Sequence, residues 1–498
     1  MRLRLNIAIG YLSAIWSAAV GFFCVPIFVH YLGIESYGLI GFFASAQAVL
    51  LLLDMGLATT INREVSRAAA SGRAADAANL VHTVGVIYWS SAVMIGLTVY
   101  LLAQPIAAHW LRTQALPRLS VEQSIVWAGV VIACRWPIGL YQGVLLGAQR
   151  IATTSGISIL MVTVANVGAI TVLALVSATV EAFFMWQAAV GLLHTLSARF
   201  AAWRTLAAAA RPRFDAAELH RVASFALGMM AIAVAGVLLT QADKLILSRM
   251  LPLADFGRYT LAGVVASGLY LVLTPTFNII YPRMSALVAR GDEEGLANFY
   301  RTGSRLLSAV LFPVAATAAV YSYDLLALWT RDPALADSTS SITAMILVGT
   351  ALNGSMHFPY ALQLAAGATR LPLMIYPTLI VVMVPLTIGL ATEFGAMGGA
   401  MAWALLNVLY LALGTWLTHR SLLQGLGLRW LMSDVIVPAS VSVATIGLSS
   451  IEIRALALSS TNTLAAGSVV MVVCAVSLLL MTHRTRAAIR SVWSTARP

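Results

Sequence analysis

Residues 31–38 read YLGIESYG and residues 250–257 read MLPLADFG. Laid over one another at a separation of 219 residues, Leu32 meets Leu251, Tyr37 meets Phe256 and Gly38 meets Gly257. The same register lays ANLVHT (78–83) over ANFYRT (297–302), Gly72 over Gly291 and Trp110 over Trp329. One inserted residue later, GAQR (147–150) meets GATR (367–370). One register that explains matches across four apolar segments of each half marks an internal duplication.

The composition says what was duplicated. With 60% hydrophobic residues, 10% charged residues and a mean hydropathy of +0.88, the chain lies far from the balance of a soluble domain. About fourteen apolar runs, each of roughly 20 residues, recur between residues 7 and 482, and each is long enough to cross a ~30 Å hydrocarbon core as a helix. Six runs are copied. Because six is even, the first and seventh enter the membrane from the same side, so the halves should be related by an axis along the membrane normal. The expected fold is an all-α integral membrane protein: a six-helix bundle over 1–210, a second over 211–425, and two additional helices with a tail over 426–498.

A net charge of +11 would suggest nucleic acid in a soluble protein, but in a membrane chain the distribution decides. The termini and even-numbered connections hold 22 of the 30 basic residues, odd-numbered connections hold seven, and Arg135 sits within the fourth run. That bias places both termini in the cytoplasm and excludes nucleic acid as the partner. Residues 1–19 also resemble a secretory signal, with Arg2 and Arg4 before an apolar core, but the run continues to Val29 and reads as a retained helix. Cys24, Cys134 and Cys474 lie in apolar runs without metal or redox spacing, and the expectation for them is packing.

The stretches FVHYLGIESYGLIGFF (28–43) and LLLDMGLATTINREVSR (51–67), in a chain of spans split six, six and two, resemble the Wzx-type polysaccharide flippases of the multidrug/oligosaccharidyl-lipid/polysaccharide exporter superfamily. The resemblance implies transfer of an oligosaccharide on a polyprenyl, specifically undecaprenyl, pyrophosphate carrier from the cytoplasmic to the outer leaflet of a bacterial inner membrane, for extracellular polysaccharide or O-antigen. It also implies a polysaccharide polymerase and export machinery as partners. An ion-coupled multidrug exporter of the same superfamily is the alternative. Such exporters often use an acid in the first helix, and none occurs between Asn6 and His30. Peptidoglycan-precursor flippases carry basic residues in their first two helices, whereas Tyr37 to Thr60 offers only Asp54. An integral glycan-processing enzyme is a third reading, but connections of about 20 residues leave no room for a catalytic domain, and no cofactor-binding motif is found.

Physical chemistry states what such a carrier must supply. Each glycan hydroxyl costs roughly 4 kcal/mol or more to move into an alkane-like medium, so a polar cavity with cationic groups for the diphosphate is required. Arg135, in ACRWPIGLYQG, is the strongest substrate-binding candidate, since a charge at that depth costs about 3 kcal/mol or more and Pro137 marks a kink. Lys244, the chain's one lysine, and Arg249 are the further cationic candidates. Asp54 and Asp243 are the candidates for coupling to a proton or Na⁺, with Asp54 expected to pair with a lumen arginine; Asp243 and Lys244, being adjacent on a helix, are expected to point apart. Gln142, Asn166, Gln241 and Asn278 are candidate sugar readers. His30, His82 and His357 read as interfacial. Gly143 with Gly147, and Gly395 with Gly399, read as packing positions, while Pro26, Pro275, Pro313, Pro359 and Pro385 read as bends.

Overall fold

A computed structural model describes residues 2–54, 56–71, 74–206, 213–214, 234 and 236–481. The expected bundle boundary at residue 210 and the start of the seventh run lie outside those residues. Every named element among the described residues is helical, and the chain divides into two compact units, Met1–Gly257 and Arg258–Pro498. Nine helices are long and apolar enough to cross a membrane among the described residues, or ten counting a bent pair, so this is a multi-pass membrane protein.

In the first unit, α1 (Arg2–Leu50) is followed by a short 3₁₀ turn, Leu51–Asp54, and by α2 (Leu57–Ser71). There follow α3 (Ala74–Pro105), α4 (Arg118–Arg135), α5 (Ile138–Gly147), α6 (Ile151–Leu175), α7 (Val180–Leu206) and a helix over 236–250, α8. Next, α9 (Leu253–Ser267) begins in the first unit and runs into the second. The second unit continues with α10 (Tyr270–Ala289), α11 (Glu293–Val320), α12 (Ser322–Thr330), α13 (Pro333–Ser355), α14 (His357–Ala365), α15 (Arg370–Ser421), α16 (Gly427–Trp430), α17 (Val437–Ala455) and α18 (Ser460–Met481).

Two expected spans are merged into each of the longest helices, and glycine marks the joins. Gly33 (φ 79°) breaks α1 and Gly395 (φ 57°) breaks α15, in a left-handed region where a Cβ would be strained. This corrects two expectations. Gly395 is a break rather than a packing position; Pro26, Pro275, Pro313 and Pro385 lie within helices, and Pro359 lies in the first turn of α14 beside the α13–α14 break. A further bend of 47° falls between α9 and α10.

Gly143 and Gly147 behave as expected. A Cβ on either would lie 2.6 Å from the Ala58 carbonyl oxygen or 2.5 Å from that of Asn62, so α5 packs on α2 at backbone contact. Around that seam Ile61, Val65, Leu80, Val84, Leu140 and Val144 form the core. A second seam is reciprocal: a Cβ on Gly38 would lie 2.2 Å from the Leu253 carbonyl oxygen, and one on Gly257 would lie 2.2 Å from that of Ile34. In the second unit α11 packs on α17 and α18, with Ala309, Cys474 and Leu478 buried together, and Cys24 is likewise buried in the first unit. Cys134 is only half-buried.

Candidate functional site

Two interrupted helices build the site. The apolar run that begins at residue 37 does not stay helical: it unwinds after Leu50, turns through Asp54 and Gly56 (φ 74°), and restarts at Leu57. Asp54 sits in that interruption, where Oδ2 accepts from the Ala58 amide at 3.4 Å and so caps α2, while Oδ1 accepts the Tyr88 hydroxyl from α3. The second interruption, Trp136–Pro137, separates α4 from α5 and leaves Arg135 as the last residue of α4. Pro137 supplies the break because it has no amide proton to donate. The two interruptions adjoin: a Cβ on Gly139 would lie 3.7 Å from the Ala58 Cβ and 4.0 Å from Asp54 Oδ1.

The Arg135 guanidinium is fixed by a neutral group. Its Nη2 donates to Gln187 Oε1 on α7 at 2.5 Å, and Gln187 is oriented in turn by Nε2 donating to the Ala165 carbonyl at 3.3 Å. Gly191, one turn along α7, makes room for the arginine stem, since a Cβ there would lie 2.9 Å from Arg135 Cγ. Thr195 donates to the Cys134 carbonyl at 2.5 Å and closes the α4–α7 seam. Among the described residues neither Arg135 nor Asp54 forms an ion pair, so the expected pairing of Asp54 with a lumen arginine is replaced by the Tyr88 bond.

Arg135 and Asp54 share one cavity of about 580 Å³, lined also by Gln47, Gln142, Asn166, Gln187 and His194, with Phe43, Trp136 and Phe183 as aromatic walls. His194 Nε2 is buried without a hydrogen-bond partner among the described residues. The arrangement offers one uncompensated cation, several amides and aromatic faces, a donor-rich set suited to an anionic, hydroxylated ligand.

The other candidates lie elsewhere, on α8. Lys244 Nζ donates to the Thr240 carbonyl at 2.9 Å and reaches Asp243 at 3.4 Å, so this neighbouring pair does neutralise itself, contrary to the expectation that the two side chains point apart. The i to i+4 carbonyl bond curls the lysine back along its own helix and makes that contact possible. Arg249 is exposed and stacks on Trp110, 5.3 Å from the ring centroid. Neither these residues nor Gln241 and Asn278 line the cavity. Sequence reasoning missed Gln47, Gln187 and His194. Gln187, Gly191 and His194 fall on one face of α7 at helical spacing, the pattern that would have revealed the last two.

A family model described as polysaccharide biosynthesis protein matches residues 3–288, more than half of the chain. No curated protein matches it in sequence. Among solved structures, the lipid II flippase MurJ in an inward closed conformation superposes with a TM-score of 0.67 at 12% identity, covering 95% of this chain and 99% of that one. An inward-facing multidrug resistance MATE family transporter of the MOP superfamily gives 0.63 at 13% identity, covering 84% and 97%. The MATE multidrug transporter DinF-BH gives 0.58 at 14% identity, covering 84% and 95%. At these identities the likeness is one of fold.

Proposed function

The chain belongs to the polysaccharide biosynthesis protein family, and from that premise we propose that it is a flippase. It moves an oligosaccharide on a polyprenyl, specifically undecaprenyl, pyrophosphate carrier from the cytoplasmic to the outer leaflet of a bacterial inner membrane by alternating access, feeding exopolysaccharide or O-antigen synthesis. The architecture that goes with this reading is fourteen spans in two six-helix bundles related about the membrane normal, plus two C-terminal helices, with both termini cytoplasmic. The reciprocal seam supports it: Ile34 and Leu253, like Gly38 and Gly257, are partners in the 219-residue register, so each backbone meets its own repeat equivalent. A two-fold axis relating the repeats produces that kind of self-contact.

The observation that carries the substrate reading is Arg135, a cation held by an amide in a cavity lined by polar and aromatic side chains. Its free N–H groups suit a diphosphate oxygen. Asp54, in the same cavity, is the proposed site of proton or Na⁺ coupling; Lys244 and Arg249 are proposed as peripheral cationic contacts, and Asp243 is bound up with Lys244. Arg135→Ala should leave the protein inserted but stop export, with the lipid-linked precursor accumulating on the cytoplasmic side. Lys should restore part of the activity, because it returns the charge without the forked geometry, and Gln less. Export is measured per inserted molecule, and normal export per Arg135→Ala molecule would defeat the assignment.

A further inference from the structure

The second unit contains a feature of different chemistry. Phe277 and Tyr281 on α10 stack with centroids 6.0 Å apart, and Phe277 stacks on Tyr360 of α14 at 5.8 Å while His357 packs edge-on against it at 6.0 Å. Tyr360 continues to Tyr376 at 6.4 Å, and Tyr376 to Tyr410 at 6.2 Å, both on α15 but on either side of its Gly395 break. At the His357 end, Tyr270 donates to Asn353 Oδ1 at 3.5 Å and Asn353 Nδ2 donates to Asn407 Oδ1 at 2.8 Å, which adds an amide pair to the row.

Resting on the glycan-carrier reading above, we propose that Phe277, Tyr281, His357, Tyr360, Tyr376 and Tyr410 form a stacking track for the pyranose rings of the transported glycan. A pyranose has an apolar C–H face and a rim of hydroxyls. The negative face of an aromatic ring attracts the first, and phenol and amide groups hydrogen-bond the second. A cluster that served packing alone would gain nothing from four phenolic hydroxyls, each of which needs a polar partner in an apolar bundle. An interfacial aromatic belt would keep its rings near helix ends. Tyr410 instead lies eleven residues before Ser421, about 16 Å along the helix, and Phe277 twelve before Ala289, about 18 Å. Tyr281 is 38% exposed and Phe277, His357, Tyr360 and Tyr376 are half-buried, while Tyr410, 7% exposed, closes the far end of the row. The α10 end of the track is peculiar to this half: in the 219-residue register Phe277 and Tyr281 fall on Ala58 and Asn62, whereas Tyr360 falls on Tyr141. The duplicated halves have thus diverged, one carrying the Arg135 cavity and the other the aromatic row.

Saturation-transfer NMR tests this on the full chain in lipid nanodiscs, with cellobiose and maltose as probes; inorganic pyrophosphate, which has no C–H protons, is the contrasting ligand and is followed by broadening of its phosphorus resonance. Saturation of the protein's aromatic protons should reach the sugar C–H protons. Phe277→Leu and Tyr360→Leu should each weaken disaccharide binding about tenfold, while Tyr360→Phe, which keeps the ring, should stay within about threefold of the native chain. Tyr281→Leu, at the exposed end, should weaken binding in the same direction without touching the packed core. Arg135→Ala should abolish pyrophosphate binding and leave the disaccharides unaffected. No transfer to either disaccharide, or transfer in all three Leu variants equal to that in the native chain, overturns the track. The flippase reading fails separately: a strain lacking the gene would then accumulate no lipid-linked glycan, whatever the disaccharides do in nanodiscs.

Discussion

The reciprocal glycine seam makes a quantitative prediction. A methyl group at position 38 would sit 2.2 Å from the Leu253 oxygen, whereas ordinary van der Waals contact begins near 3.4 Å, so Gly38→Ala forces the two backbones apart by about 1 Å. Backbone cannot step aside as a flexible side chain can. Overpacking of this kind costs about 1–3 kcal/mol, which in the proposed alternating-access cycle shifts the open–closed equilibrium roughly 5- to 150-fold. Ser36 lies two residues away and is 4% exposed, so Ser36→Cys in a chain whose three native cysteines are replaced reports the opening. In nanodiscs, where both faces are reachable, its labelling by an impermeant thiol reagent should accelerate by that factor on Gly38→Ala. Gly257→Ala should do the same to a similar extent, because its methyl presses on Ile34, the repeat equivalent of Leu253. The double variant should fall short of the product, since helices already separated have less left to lose. Unchanged labelling in either single variant, or full multiplicativity in the double, would refute the reciprocal seam as a moving contact.

Two further outcomes are expected. Single cysteines at Ser338 and Ser71, both exposed, should differ toward an impermeant reagent applied outside intact cells: Ser338 labels and Ser71 does not, and equal labelling overturns the proposed orientation. Asp434, fully buried before α17, accepts from Arg301 Nε at 3.2 Å and from Arg305 Nε at 2.5 Å on α11, so Asp434→Ala should destabilise the second unit by about 3 kcal/mol. The arginines, 22% and 27% exposed, regain some hydration, which keeps that figure at the low end for a broken buried pair. Replacing all three by Leu or Met should recover most of the melting temperature, and a triple variant as unstable as Asp434→Ala would refute the ion-pair account.

The features legible in the sequence were those written in periodic or regional terms. Membrane residence follows from composition, and the α5–α2 contact from the spacing of Gly143 and Gly147. The features that escaped depend on what meets what in space. LLLDMG at 51–56 lies in an apolar run whose length reads as one continuous span, although Asp54 and Gly56 are break-forming residues; Asp54 gains its place from Tyr88, 34 residues on. The Lys244–Asp243 contact was misjudged because Cβ directions alone were considered, whereas a long side chain that folds back to the Thr240 carbonyl brings its ammonium round to the neighbouring carboxylate. Arg301 and Arg305 had no visible partner because Asp434 lies about 130 residues away, in the appended helices.

The choice of an amide rather than a carboxylate beside Arg135 bears directly on transport. Had Asp54 held the guanidinium in a salt bridge, an arriving anion would have to displace a partner whose loss costs about 3–5 kcal/mol in a buried setting. Gln187 fixes the geometry through a neutral hydrogen bond and leaves the positive charge uncompensated for the ligand. Asp54 is meanwhile held in the same cavity by Tyr88 and the Ala58 amide, near enough to line the site without quenching it. A carrier must bind its cargo firmly enough to pull it from one leaflet and loosely enough to release it into the other. One cation held by an amide, within a cavity that also presents a carboxylate, meets both demands better than a cluster of unopposed cations, which would bind a diphosphate too tightly to let it go.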